Sequence, residues 1–139
     1  MGNHYTDIEL INCSASKNIT LIPNNILMDP NISFKAKGVY CALAIIIPDE
    51  DREISYFEDL KMASTDGETA IRSAVAELAD AGYFRLFRYR DKKTKKWEGS
   101  FAMITKVPNH FDIAEPAKDI EELGLECPEI DKMLKERGC

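Results

Sequence analysis

The sequence predicts an α+β domain in which a three-helix core is followed by a β-hairpin, with a short acidic, helical C-terminal tail. Three observations lead there. Apolar residues recur at helical spacing after Ser33 and again at Ile71, Ala74, Val75 and Leu78. Two capping patterns, Ser55-Tyr56-Phe57-Glu58 and Thr65-Asp66-Gly67-Glu68, stand ten residues apart, which marks a short helix followed at once by a longer one. Gly82 then closes the helical pattern, and two β-prone, aromatic-rich runs, YFRLFRY and WEGSFAMITKV, flank the polar, Lys-rich RDKKTKK.

The elements follow in order. Residues 1–17 form an N-terminal extension with no basic n-region and no apolar h-region, so no secretory signal is visible. Residues 18–23 (NITLIP) alternate weakly and are expected as a short strand or an extended lead-in. NNILMDPN reads as a turn-rich connection, broken by Asp29-Pro30. Ser33 can cap the first helix, whose inner face is Ala36, Val39, Tyr40, Leu43 and Ile47, and Pro48 stops it. The second helix, opened by Ser55, is expected to bury Phe57, Leu60 and Met62. The third, opened by Thr65, turns Ile71, Ala74, Val75 and Leu78 inward and ends at Gly82 in the C′ position. The hairpin closes the domain at residue 110. In the tail, residues 117–123 and 129–137 are expected to be helical, with Ile120, Leu123, Ile130, Met133 and Leu134 as buried positions. Helix, turn, helix and hairpin in this order is the plan of a winged helix-turn-helix.

Composition narrows the function classes. A chain of 139 residues, 45% hydrophobic and 30% charged, suits one globular domain. Its longest apolar run, from Val39, is too short to span a bilayer, so no membrane role is expected. Cys13, Cys41, Cys127 and Cys139 lack the spacing of zinc-ligand pairs, which points to reduced thiols and a cytoplasmic setting. His4 and His110 are isolated, and no nucleophile context or Gly-rich phosphate loop occurs. The acidic loop Asp49-Glu50-Asp51 lacks calcium-loop spacing. No catalysis, metal or cofactor is expected.

The net charge of −6 is unevenly placed: residues 1–16 carry −2, residues 17–110 carry +1 and residues 111–139 carry −5. Residues 49–59 hold six acids against Arg52, whereas residues 85–106 hold eight basic residues against Asp91 and Glu98. The acidic total thus conceals a basic stretch, and local fields are what steer a polyanion.

The stretches IPNNILMDPNISFKAKGVYCALAIIIPDE and LADAGYFRLFRYRD resemble winged-helix domains of phage and plasmid origin in Gram-positive bacteria, including the N-terminal domains of phage replication-initiation proteins and related small regulators. The resemblance rests on the Pro-Asn…Asp-Pro lead-in, on Ser33, Lys35-Ala36-Lys37-Gly38 and Tyr40, and on the Glu77-Leu78…Gly82-Tyr83 junction. It covers roughly residues 18–108. Two features depart from it. Such initiators usually continue into a second domain, where this chain has an acidic tail over residues 111–139, and the hairpin tip has Asp91-Lys92-Lys93-Thr94-Lys95-Lys96 in place of an Asp-x-x-Gly turn.

In a helix-turn-helix the second helix enters the major groove with its N-terminal residues against base edges. Thr65, Thr69, Arg72 and Ser73 then face outward: Thr69 and Ser73 can bond bases or phosphates, and Arg72 can take a guanine bidentately. Arg88, Arg90, Lys92, Lys93, Lys95 and Lys96 concentrate charge where a wing meets phosphate. The alternative for these lysines is protection of an exposed strand edge, but six basic residues in nine positions exceed that need. Trp97 reads as a packing residue at the hairpin base.

Two functions follow. The first is a sequence-specific double-stranded DNA-binding protein, a phage or mobile-element transcriptional regulator, with a homodimer expected and the tail as candidate dimer contact. The second is a protein-binding phage factor that uses the same fold to inhibit a host or defence nucleoprotein, in the manner of an anti-CRISPR protein. Its contacts would come from the acidic loop or the tail.

Overall fold

The computed structural model describes residues 19–48 and 55–138. The N-terminal extension, the acidic loop Asp49-Glu50-Asp51, Cys13 and Cys139 lie outside the described residues. The described chain is α+β, with α1 (Asn24–Leu27), α2 (Phe34–Ile46), α3 (Tyr56–Met62), α4 (Glu68–Asp80), β1 (Phe84–Asp91), β2 (Trp97–Ile104), α5 (Ala114–Glu122), β3 (Leu125–Glu126) and α6 (Pro128–Glu136). The sheet is antiparallel in the order β2-β1-β3, and the arrangement is compatible with a winged-helix-like plan. No helix among the described residues is long and apolar enough to cross a membrane.

Local chemistry explains most of the boundaries. Ser33 Oγ accepts the Ala36 N–H at 3.1 Å, and Ser55 Oγ accepts the Glu58 N–H at 3.3 Å, so both expected N-caps form. The expected cap at Thr65 does not form. Helix α4 begins one turn's fraction later, with Gly67 at the N-cap and no side-chain cap, because the turn is already closed by Ser64 Oγ accepting the Asp66 N–H at 2.9 Å. At the other end of α4, Tyr83 N–H donates to the Leu78 carbonyl at 2.9 Å and Gly82 N–H to that of Ala79 at 3.1 Å, a Schellman motif with Gly82 at φ +87°. The lead-in over residues 19–23 is extended without strand pairing, and the following connection winds into the short helix α1.

The hairpin is the centre of the packing. Side chains alternate along a strand, so Phe84, Leu86, Arg88 and Arg90 share one face of β1 while Arg85, Phe87 and Tyr89 share the other. The proximal end of the first face, with Phe84, Ala102 and Ile104, joins the core formed by Ala36, Tyr40, Leu43, Leu60, Ile71, Ala74 and Leu78 of α2, α3 and α4. The second face, with Phe87, Tyr89, Phe101 and Met103, joins a separate core of Phe111, Ile113, Cys127, Ile130 and Met133. Residues 111–138 are therefore folded onto the hairpin through a shared apolar core. Their apolar sides, including Ala117 and Ile120 of α5, face the sheet.

Three expectations about burial and extent are corrected. Met62, at 79% exposed, and Leu123, at 73%, lie on solvent: Met62 is the last residue of a two-turn helix whose inner stripe is completed by Leu60, and Leu123 follows the end of α5. Helix α5 starts three residues earlier than expected, since Pro116 in its first turn has no intrahelical N–H bond to lose.

Two outcomes follow for stability. Gly82 holds a left-handed conformation, and a Cβ there would meet Asn109 atoms at 2.8–2.9 Å. Gly82→Ala should cost at least about 1–2 kcal/mol from the backbone conformation alone, measured by denaturant unfolding. Phe87 is fully buried between the sheet and the tail, and Phe87→Ala should cost about 3–5 kcal/mol in the same measurement. A cost below that for an ordinary exposed site would mean that the tail does not pack there.

Candidate nucleic-acid interface

Helix α4 is held at a set angle to α2. Ser33 donates twice to Glu77, from its N–H to Oε1 at 2.9 Å and from its hydroxyl to Oε2 at 2.8 Å, while still capping α2. These bonds hold the Glu77 carboxyl below its ordinary range, the Ser33 N–H contributing most. The opposite face of α4 is open: Thr65 in the preceding turn and Thr69, Arg72 and Ser73 on the helix are all exposed.

Arg72 is exposed but engaged. Its guanidinium stacks over the Phe57 ring at 4.2 Å and lies 3.4 Å from Glu68, one helical turn earlier. Glu68 is also 3.9 Å from Lys61, which pairs with Glu58 at 3.2 Å. Exposed pairs of this kind each contribute little and exchange readily with water or a competing anion. They nevertheless leave the outer face of α4 without a free cation, since Glu68, Glu77 and Asp80 are its other charged residues.

The hairpin tip is shaped by Asp91. Its N–H donates to the Lys96 carbonyl and its own carbonyl accepts from Lys95 N–H, both at 2.9 Å. Its Oδ1 accepts the N–H groups of Lys93 and Thr94, each at 2.8 Å. Those backbone donors, Thr94 first, lower its pKa and keep it an acceptor. Lys95 takes the left-handed conformation, φ +62°, that glycine supplies in a commoner turn. Lys92, Lys93 and Lys96 project from this turn, exposed and without an ion pair among the described residues.

Trp97 does not stand at the hairpin base, as its position in sequence suggested. It opens β2 beside the tip and is 44% exposed. The register shifts between Tyr89, opposite Gly99, and Arg90, opposite Trp97, so Glu98 is the extra residue of a β-bulge. Without that shift strict alternation would turn Trp97 to the tail side. With it, Trp97 joins Arg88 and Arg90, whose guanidinium carbons lie 4.4 and 5.3 Å from its ring centroid. Sequence periodicity could not reveal this, because a bulge has no apolar signature of its own. On the tail-facing side the Tyr89 ring lies over Gly99, where a Cβ would meet its hydroxyl at 2.5 Å.

The remaining basic residues of the hairpin are tied to the tail. Arg85 pairs with Glu129 at 3.0 Å, and Arg90 and Lys95 both reach Glu126 Oε1, at 2.8 and 2.6 Å. Glu126, a residue that the sequence offered no reason to single out, is opposite Arg90 across the β1–β3 ladder. Of the expected contact residues, Thr65, Thr69, Ser73, Lys92, Lys93 and Lys96 are exposed to a ligand, Arg88 is exposed with its guanidinium over Trp97, and Arg72, Arg90 and Lys95 have charged protein partners. Among the described residues no group of three or more His, Cys, Asp or Glu side chains is placed to hold a metal ion.

The two cations lower the Glu126 pKa, Lys95 contributing more than Arg90. A depressed carboxyl contributes stability that is present above its unfolded value and lost as pH falls through its folded value. In an NMR titration the Glu126 carboxyl carbon should therefore have its midpoint below the ordinary glutamate value of 4.5, with the β1–β3 ties loosening only under that midpoint. A midpoint at or above 4.5 would contradict the double pairing.

No family model, curated protein or solved structure matches the chain, so what this surface does follows from its own chemistry.

Proposed function

We propose that the chain is a double-stranded DNA-binding protein on a winged helix-turn-helix plan, holding the duplex chiefly through its wing. The order of α3, turn, α4 and hairpin supports the plan. The observation that carries the function is the tip itself, where Lys92, Lys93 and Lys96 stand exposed, with no ion pair among the described residues, in a protein whose net charge is −6. Such a cluster meets backbone phosphates, the sequence-independent part of DNA affinity. Helix α4 then reads bases through Thr69 and Ser73, and through Arg72 once Glu68 yields it. With so few reading groups, sequence preference is modest and affinity is dominated by phosphate contacts. A transcriptional regulator of a phage or mobile element fits this size and the resemblance drawn from residues 18–108.

A second reading rests on a different surface. Helix α5 presents Glu115, Asp119, Glu121 and Glu122 to solvent, an acidic ridge suited to a basic groove on a host or defence nucleoprotein. The apolar side of the tail is covered by the sheet, so this contact would be made by charge.

Titration of a labelled DNA duplex against salt separates the two. Wild-type affinity should fall steeply between about 50 and 200 mM salt. Changing Lys92, Lys93 and Lys96 together to Gln should reduce the slope of log K against log[salt] by about 2.7, at about 0.9 per phosphate contact. An undetectable complex at the lowest salt, or a slope that ignores the three lysines, would overturn the DNA reading. A host protein that co-purifies equally with wild type and with the triple variant would favour the second.

A further inference from the structure

Glu126 holds two of the wing's cations at once, and the fold leaves it little freedom to let go. Arg90 Nε and Lys95 Nζ converge on one oxygen, Oε1. Two charge-assisted donors on a single oxygen is the pattern by which Arg and Lys hold a phosphate oxygen. The carboxylate is fixed from both sides. Strand β3 pairs with β1, Lys92 N–H donates to the Gly124 carbonyl at 3.2 Å, and the next residue, Cys127, is anchored in the second core. The Glu126 side chain is only 16% exposed, whereas that of Lys95 is 55% exposed, so the lysine is on the solvent side of the pair. Asp131, Lys132 and Lys135 of α6 line a hollow of about 290 Å³ together with Arg90 and Glu126.

We infer that Glu126 acts as a built-in phosphate mimic: its carboxylate occupies an anion site made by Arg90 and Lys95 and keeps both cations from the nucleic-acid backbone. The inference rests on the DNA-binding reading and specifies how that surface is regulated. The wing then works with Arg88, Lys92, Lys93 and Lys96, a weaker grip than its sequence implies. A DNA phosphate can displace the carboxylate only against a contact held in place by the fold. Glu126 is thus a positioning residue that sets the wing's working charge.

The test compares Glu126→Gln with Glu129→Gln on one short mixed-sequence DNA duplex. Both variants change net charge equally, but Glu129 holds Arg85, which projects from the face under α6, away from the tip. Glu126→Gln should steepen the salt slope by about 1.8, two further phosphate contacts, while Glu129→Gln leaves it unchanged. Lys95→Gln should leave the wild-type slope nearly unaltered yet remove about 0.9 in the Glu126→Gln background, a non-additivity that a mere loss of fold would not produce. If wild type binds and the two Glu variants behave alike, or Lys95→Gln acts equally in both backgrounds, the inference fails while the DNA reading stands. If neither wild type nor Glu126→Gln binds the duplex at the lowest salt, both fall. Binding by Glu126→Gln where wild type shows none would overturn the DNA reading of the native chain and the inference that rests on it.

Discussion

The hairpin β1–β2 has two buried faces, and the rest of the fold depends on that. A two-stranded hairpin is marginal alone in water, where one face packed on helices leaves the other to solvent. Here Phe84 and Phe87, three positions apart, point to opposite sides and each anchors a separate core. The helices α2, α3 and α4 cover the base of one face, and residues 111–138 cover the Phe87 and Phe101 part of the other. The third strand, β3, is only two residues long, yet it joins the sheet where the tail passes β1. The tail is thus a structural half of the sheet's packing, and the hairpin is the wall both halves share.

That arrangement decides the electrostatics. An acidic segment packed on a basic hairpin places carboxylates beside cations, and Glu126 and Glu129 meet Arg90, Lys95 and Arg85. The net positive field of the wing is accordingly drawn toward its tip, where Lys92, Lys93 and Lys96 make no ion pair with the tail's acids among the described residues. Asp91, acidic though it is, serves the same end, since its carboxylate orders the turn chiefly through the Lys93 and Thr94 N–H groups. Helix α4 shows the opposite balance, with Arg72 closed in by Glu68 and Phe57. Charge for gripping a polyanion resides at the wing tip, and groups for reading bases reside on α4.

Much of the fold could be read from sequence because the signals were local. Ser33 and Ser55 cap their helices through bonds spanning three residues, and Gly82 stops α4 because only a residue tolerant of positive φ closes that motif cheaply. The inward stripe of Ile71, Ala74 and Leu78 is a matter of 100° per residue. Thr65 failed for an equally local reason: Ser64 and Asp66 closed the turn first. Trp97 was misplaced because a one-residue bulge at Glu98 reverses which face a side chain takes. The candidate site was legible as a list of cations and not as a surface, since which of them are free depends on acids between thirty-one and forty-four positions away.

By itself the sequence determined the longer helices and the two hairpin strands, the Ser33 and Ser55 caps, the Gly82 stop and the clustering of lysines at the tip, all of which arise from neighbours within a turn or a strand. Only the tertiary structure decided that the tail forms a second core, that Trp97 lies with Arg88 and Arg90, and that Glu126 holds two of the wing's cations. Those outcomes depend on which residues the sheet brings into contact across its two faces. Burial and Coulomb attraction act on distance in space, and distance along the chain carries no record of it.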